Sequence, residues 1–78
     1  MMDNIEKIVY ACDHDVPVRI EFIDGTVGPH ERIVKFNAED FTMALSPEHA
    51  EQEEMGPGDE LGCPWDFVKS VELLCEDD

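Results

Sequence analysis

Basic residues are scarce in this sequence: five Lys and Arg stand against 20 Asp and Glu, for a formal charge of −15 over 78 residues. A chain this negative repels phosphate backbones and anionic headgroups, so direct binding to nucleic acid or to a membrane surface is not expected. Long apolar runs are missing too, none approaching the roughly 18 residues that span a bilayer. The opening Met1-Met2-Asp3-Asn4-Ile5-Glu6 lacks the basic start and apolar stretch of a signal peptide, which makes a cytoplasmic location the expectation. Cysteine is sparse and unpaired in pattern: Cys12, Cys63 and Cys75 form an odd set without CxxC spacing. Reduced thiols are expected rather than a disulfide framework.

Motifs of catalysis and metal binding are equally thin. No strand-turn-helix elbow, Gly-rich phosphate loop or metalloprotease helix is present, and a chain of this length holds few groups in a pocket. His14, between Asp13 and Asp15, is chemically suitable as a base but has no companion motif. No enzymatic activity is expected. Cys12-x-His14 is the only close pair of soft ligands, and Cys63, His30 or His49 would have to complete a zinc site in space. Cys12 already falls on an apolar helix face, where a free Cys acts as a small hydrophobe. Neither metal nor cofactor is expected. The acids at Glu48, Glu51, Glu53, Glu54, Asp59 and Glu60 lack the D-x-D-x-D-G order of an EF-hand.

What the sequence does contain is apolar periodicity, with 42% hydrophobic residues. That proportion is too high for a wholly disordered polymer. Ile5, Ile8, Val9 and Cys12 fall on one helical face, and Asp3 with Glu6 has capping-box spacing, so a helix is predicted over 3–12. From Val16 the period changes to two: Val16, Val18, Ile20 and Phe22 share a face, and Asp24-Gly25 closes the strand. A second strand is read over Glu31–Asn37 with Val34 and Phe36 as its apolar side, and a third over Phe41–Leu45. Residues 46–60 read as an acidic loop, within which a helical turn at Pro47–Glu54 has no apolar face to support it. Leu61-Gly62-Cys63 is a short fourth strand, Pro64–Phe67 a turn or 3₁₀ segment, Val68–Leu74 a final strand, and 75–78 a frayed tail. Trp65 is expected to pack under the last strand, with an exposed binding anchor as the alternative.

The order helix, three meandering strands, loop, short strand, turn, final strand predicts a mainly β fold with one N-terminal α-helix. Its expected form is a small five-stranded Sm-like or SH3-like barrel, with residues 1–78 making a single domain. The excess charge is unevenly placed. Residues 1–38 carry seven acids and four bases, for −3, whereas 39–78 carry thirteen acids and Lys69 alone, for −12. Spaced carboxylates of this kind can occupy Lys and Arg sites that otherwise hold a nucleic-acid backbone, with strong salt dependence. Glu51, Glu53 and Glu54 are the candidates in the second half.

Asp3-Asn4-Ile5-Glu6, then Ala11-Cys12-Asp13-His14, then Val16-Pro17-Val18-Arg19-Ile20-Glu21-Phe22-Ile23-Asp24-Gly25 resembles the opening of the Rho-binding antiterminator family. Those proteins have an acidic N-terminal helix bearing a D-x-L-E element, an Ala-Cys step and a first strand ending in Asp-Gly. The resemblance implies an acidic Sm-like barrel that binds the transcription terminator Rho at its RNA-binding domain and hinders RNA loading. It makes Asp3 and Glu6 candidate partner contacts. Arg32-Ile33-Val34 and Phe67–Leu74 also resemble other SH3-like ligand-sensing barrels, such as WYL modules.

The expected function is therefore that of an acidic, non-catalytic protein that blocks a basic nucleic-acid-binding surface, with Rho the candidate partner. The alternatives are a salt-adapted structural domain, whose charge serves hydration, and a small ligand-sensing barrel. Edge-to-edge association into a homo-oligomer stays open.

Overall fold

A computed structural model describes residues 3–74; the expected tail at 75–78 lies outside them. Helix α1 spans Asn4–His14. The capping box forms as expected: Glu6 N donates to Asp3 Oδ1 at 2.8 Å, and Asp3 N donates to Glu6 Oε1 at 3.0 Å. The helix runs two residues beyond the predicted end because Asp15 adopts the left-handed conformation at φ 56° and closes it, its N–H donating to the Ala11 carbonyl. Arg32 pairs with the Asp15 carboxylate.

Five antiparallel strands follow in the sheet order β4-β3-β2-β1-β5: β1 Val18–Phe22, β2 Val27–Phe36, β3 Asp40–Ala44, β4 Glu60–Pro64 and β5 Val68–Leu73. The chain is thus mainly β with one N-terminal helix, and its sheet is barrel-like but not closed. Strand β2 sets the bend. Its first half pairs with β1, through Val27, Gly28 and Glu31, and its second half with β3, through Arg32, Ile33, Lys35 and Phe36. Opposite the two-residue step Val18 to Ile20, β2 takes the three residues from Gly28 to Glu31, a bulge that accommodates Pro29 inside a strand. Gly28-Pro29 therefore lies within β2, not before it.

The core comprises Val18, Ile20 and Phe22 of β1, Ile33 of β2, Phe41 and Met43 of β3 with Leu45 beyond it, Cys63 of β4, Val71 of β5, Ile8 and Ala11 of α1, and Ala50. The alternation read for β1 and β3 holds. Strand β2 differs: Glu31 and Ile33 point inward, while Val34 and Phe36 are 43% and 40% exposed. A second register shift between Ile33 and Lys35 accompanies this outward placement.

Within the expected loop 46–60, Pro47–Gln52 forms a short helix, α2. Ser46 caps it, Pro47 starts it, and its inner face is His49 and Ala50. An inward histidine beside an alanine leaves no apolar period in the sequence, which is why the turn had no visible support. Just after α2, Glu54 sits in the left-handed region at φ 59°. A non-glycine residue there costs about 1–2 kcal/mol. Glu54→Gly is expected to raise stability by about 0.5–1 kcal/mol net of glycine's greater chain entropy, read as a higher urea midpoint with unchanged slope.

Candidate functional site

An open groove of about 740 Å³ is walled by Ile5 and Val9 of α1, Phe36 and the Asn37–Glu39 turn, and Trp65-Asp66. A shallower depression continues along α1 past Glu6, Tyr10 and Asp13, sharing Ile5 and Val9. Helical periodicity assigned Ile5 to the core, yet it is 51% exposed, because Ile8 and Ala11 alone meet the sheet fully. Two bonds fix that rotation of the helix: Asn4 Nδ2 donates to the Lys69 carbonyl at 3.1 Å and Lys7 Nζ to the Val71 carbonyl at 3.0 Å.

The opposite wall is held just as firmly. Asn37 Oδ1 accepts from Glu39 N and Asp40 N at 2.7 and 3.0 Å, and its carbonyl accepts from Trp65 Nε1 at 2.8 Å. Trp65 packs its ring against Phe41, with centroids 5.0 Å apart, and shows its other side to the groove. The residue is thus half-buried; its contacts are with β3 and the Asn37 turn rather than with the last strand, and it forms the groove wall.

Carboxylates rim this apolar surface: Glu6 and Asp13 on the helix, Glu39 on the turn, and Asp66 beside Trp65. Among the described residues, none of the four pairs with Lys or Arg, whose ion pairs are Arg32–Asp15 and Lys69–Glu21. Asp3 and Glu6 stand at the N-terminal end of the same helix, each using one oxygen for the cap. Asp3 and Glu6 were singled out in the sequence, Glu6 alone of the two lining a depression, whereas Glu39, Asp66, Phe36 and the outward Ile5 were not. The available signal was a helix whose apolar residues outnumber those one sheet face can cover.

Glu51, Glu53 and Glu54 lie at the end of α2, all exposed. They border no part of the groove. Glu53 instead approaches His49 Nε2 at 3.6 Å.

Beneath α2 lies a buried polar cluster that the sequence did not disclose. Glu31, 0% exposed, accepts from Ser46 Oγ at 2.8 Å, from Ser46 N at 3.3 Å and from His49 Nδ1 at 3.1 Å. Gly28 makes room for it: a Cβ there would lie 2.8 Å from Glu31 Cγ. Although Ser, His and Glu meet, the serine hydroxyl bonds the carboxylate and not the imidazole, so the arrangement is no nucleophile-base relay. It locks α2 to β2.

The soft ligands are dispersed. Cys12 Sγ contacts the Val34 carbonyl, and His14 stacks on Tyr10 while its Nδ1 donates to the Tyr10 carbonyl at 3.1 Å. No group of three or more His, Cys, Asp or Glu among the described residues is placed to hold a metal ion. No helix among them is long and apolar enough to cross a membrane.

Burial, aided by Asp40, pushes the Cys63 thiol from 9.0 up to about 11. The unfolded thiol loses its proton first, so the stability this group contributes is constant below pH 9 and is lost as pH rises from 9 to 11. The expected contribution is a slope of up to about 1.4 kcal/mol per pH unit. It is measured as the difference between the wild-type and Cys63→Ala profiles, and parallel profiles would contradict it.

Comparison of the chain with family models, with curated proteins and with solved structures returns no match.

Proposed function

We propose that this protein is an acidic docking module that covers a basic nucleic-acid-binding surface on another protein and so keeps nucleic acid off it. The observation that carries the reading is the apolar groove of Ile5, Val9, Phe36 and Trp65 rimmed by carboxylates that have no Lys or Arg partner among the described residues. A nucleic-acid-binding face offers Lys and Arg together with aromatic or aliphatic platforms, and the groove complements both. Apolar contact gives such a complex its lifetime, while the −15 charge speeds encounter.

Rho is the partner of first choice, on the resemblance of the α1–β1 segment. The protein titrated into Rho bound to a fluorescent RNA should release the RNA at about 0.1 M salt. The release should weaken steeply as salt rises, because ion pairs at the rim are screened. Undiminished RNA binding at saturating protein and low salt, with no complex by calorimetry, would rule Rho out. Failure to compete on any basic nucleic-acid-binding protein tested would rule out the wider reading.

A further inference from the structure

The outer edges of the sheet, on β5 and on β4, are not alike. On β5 the Lys69 and Val71 carbonyls already accept from Asn4 Nδ2 and Lys7 Nζ, so α1 covers that edge. On β4 the register fixes which backbone groups face outward. Leu45 N donates to the Asp59 carbonyl at 2.9 Å, which makes Leu45 and Asp59 a bonded pair. Bonded pairs recur every second residue, so Leu61 and Cys63 turn their backbone groups towards Met43 and Phe41. Glu60 and Gly62 turn theirs away from the sheet. Among the described residues, neither meets a backbone partner on that side.

Behind this edge, where the sheet does not close, lies a cavity of about 260 Å³ bounded by Phe22, Met43, Leu61 and Phe67. Pockets that hold whole ligands measure about 300–1,000 Å³, so the space suits a side chain better than a free molecule. Phe67 and Ile23, whose N–H donates to the Phe67 carbonyl, are exposed large apolar residues beside it. An open edge with an apolar recess behind it has both parts of a strand-addition site. Backbone bonds supply affinity, and alternate side chains supply specificity.

We propose that β4 takes up an extended basic segment of a partner protein as an added antiparallel strand. Partner residues opposite Glu60 and Gly62 exchange backbone bonds with them and keep their side chains on the solvent face. The residue between, opposite Leu61, turns its side chain into the cavity. Charge selects the occupant. Glu60 lies on the strand, Asp59 precedes it, and Asp24 and Glu53 border the cavity, which no Lys or Arg lines among the described residues. Lys or Arg on the solvent face with Leu or Phe inward complements this surface, because opposite charges across a strand pair attract and like charges repel. The same rule disfavours a second copy of the chain. Its β5 edge is covered, its β4 carries Glu60 in turn, and each copy bears a charge of −15. None of Glu60–Pro64 lines the groove, and this inference does not rest on the docking reading.

The probe is the acetylated and amidated peptide Lys-Leu-Lys-Leu-Lys, titrated into the intact protein while amide hydrogen exchange is followed. It should bind saturably and slow exchange at the Glu60 and Gly62 amides, with the Leu61 and Cys63 amides unchanged. N-methylation of the peptide's lysine amides, which face β4, should weaken it at least about tenfold, and N-methylation of its leucine amides, which face away, by less than about threefold. Serine in place of leucine should weaken it at least about tenfold, and glutamate in place of lysine should abolish binding. Gly62→Pro removes a donor from the open edge and none from the β3 side, and should weaken the peptide about tenfold. Gly62→Val keeps that donor, and its Cβ meets no atom within 4 Å, so binding should stay. Equal affinity of the two methylated peptides, no protection at Glu60 and Gly62, or protection of those amides in a concentration-dependent dimer without peptide would each overturn the proposal.

Discussion

Glu31→Ala is expected to unfold much of the population at physiological temperature, with a loss of about 3–5 kcal/mol in unfolding free energy. The reason lies in what the carboxylate leaves behind. Ser46 N, Ser46 Oγ and His49 Nδ1 all donate to it inside the protein, and truncation strands three donors away from water. It also undoes the attachment of α2 to β2. A chain of this length has roughly 4–12 kcal/mol in total, so the melting temperature should fall by roughly 15–30 °C. Thermal and urea unfolding, followed by circular dichroism and Trp65 fluorescence, measure this directly. A fall of under about 1 kcal/mol would mean that water replaces the carboxylate without cost.

The same cluster makes a non-additive prediction. Gly28→Ala forces a methyl to within 2.8 Å of Glu31 Cγ, and Glu31 is pinned by its three donors and cannot yield. The substitution should cost about 1–3 kcal/mol alone. In the Glu31→Ala background the obstructing side chain is gone and most of that cost should disappear, a coupling that a double-mutant cycle isolates.

The cluster also shows where sequence reading ends. Strands β1 and β3 were legible because each buries one face, and Val18, Ile20, Phe22, Phe41 and Met43 obey the period of two. Strand β2 was read only from Glu31 onward and with the wrong face inward, because a buried glutamate breaks the hydrophobic pattern and two bulges reset which residues face the core. Helix α2 was hidden for a related reason, its inner face being a histidine that is buried only because Glu31 receives it. At α1 the opposite problem arose. Period 3.6 groups Ile5 and Val9 with Ile8, and only the anchoring of Asn4 and Lys7 to β5 decides that Ile5 turns outward. Those are long-range facts, fixed by partners more than sixty residues away.

Asp3 and Glu6 allow the docking face to be tested without disturbing the helix that bears it. Asn is as good an N-cap as Asp, and Gln can make the return bond of a capping box as Glu does. Asp3→Asn with Glu6→Gln should therefore leave α1 intact and remove two negative charges. If the groove face meets the basic partner, that pair should weaken binding about tenfold at low salt, since exposed pairs are worth up to about 1 kcal/mol each. Glu6→Lys with Glu39→Lys and Asp66→Lys adds repulsion across both walls and should weaken binding at least about a hundredfold. Glu51→Lys with Glu54→Lys changes the net charge by as much per residue, but on the end of α2, away from the groove. It should slow association modestly and leave dissociation unchanged, because its action is long-range and screened. The opposite ranking, with the α2 reversal the more damaging, would move the docking face to Glu51, Glu53 and Glu54. Equal losses from both sets would mean that net charge alone drives the encounter and that the apolar groove takes no part in it.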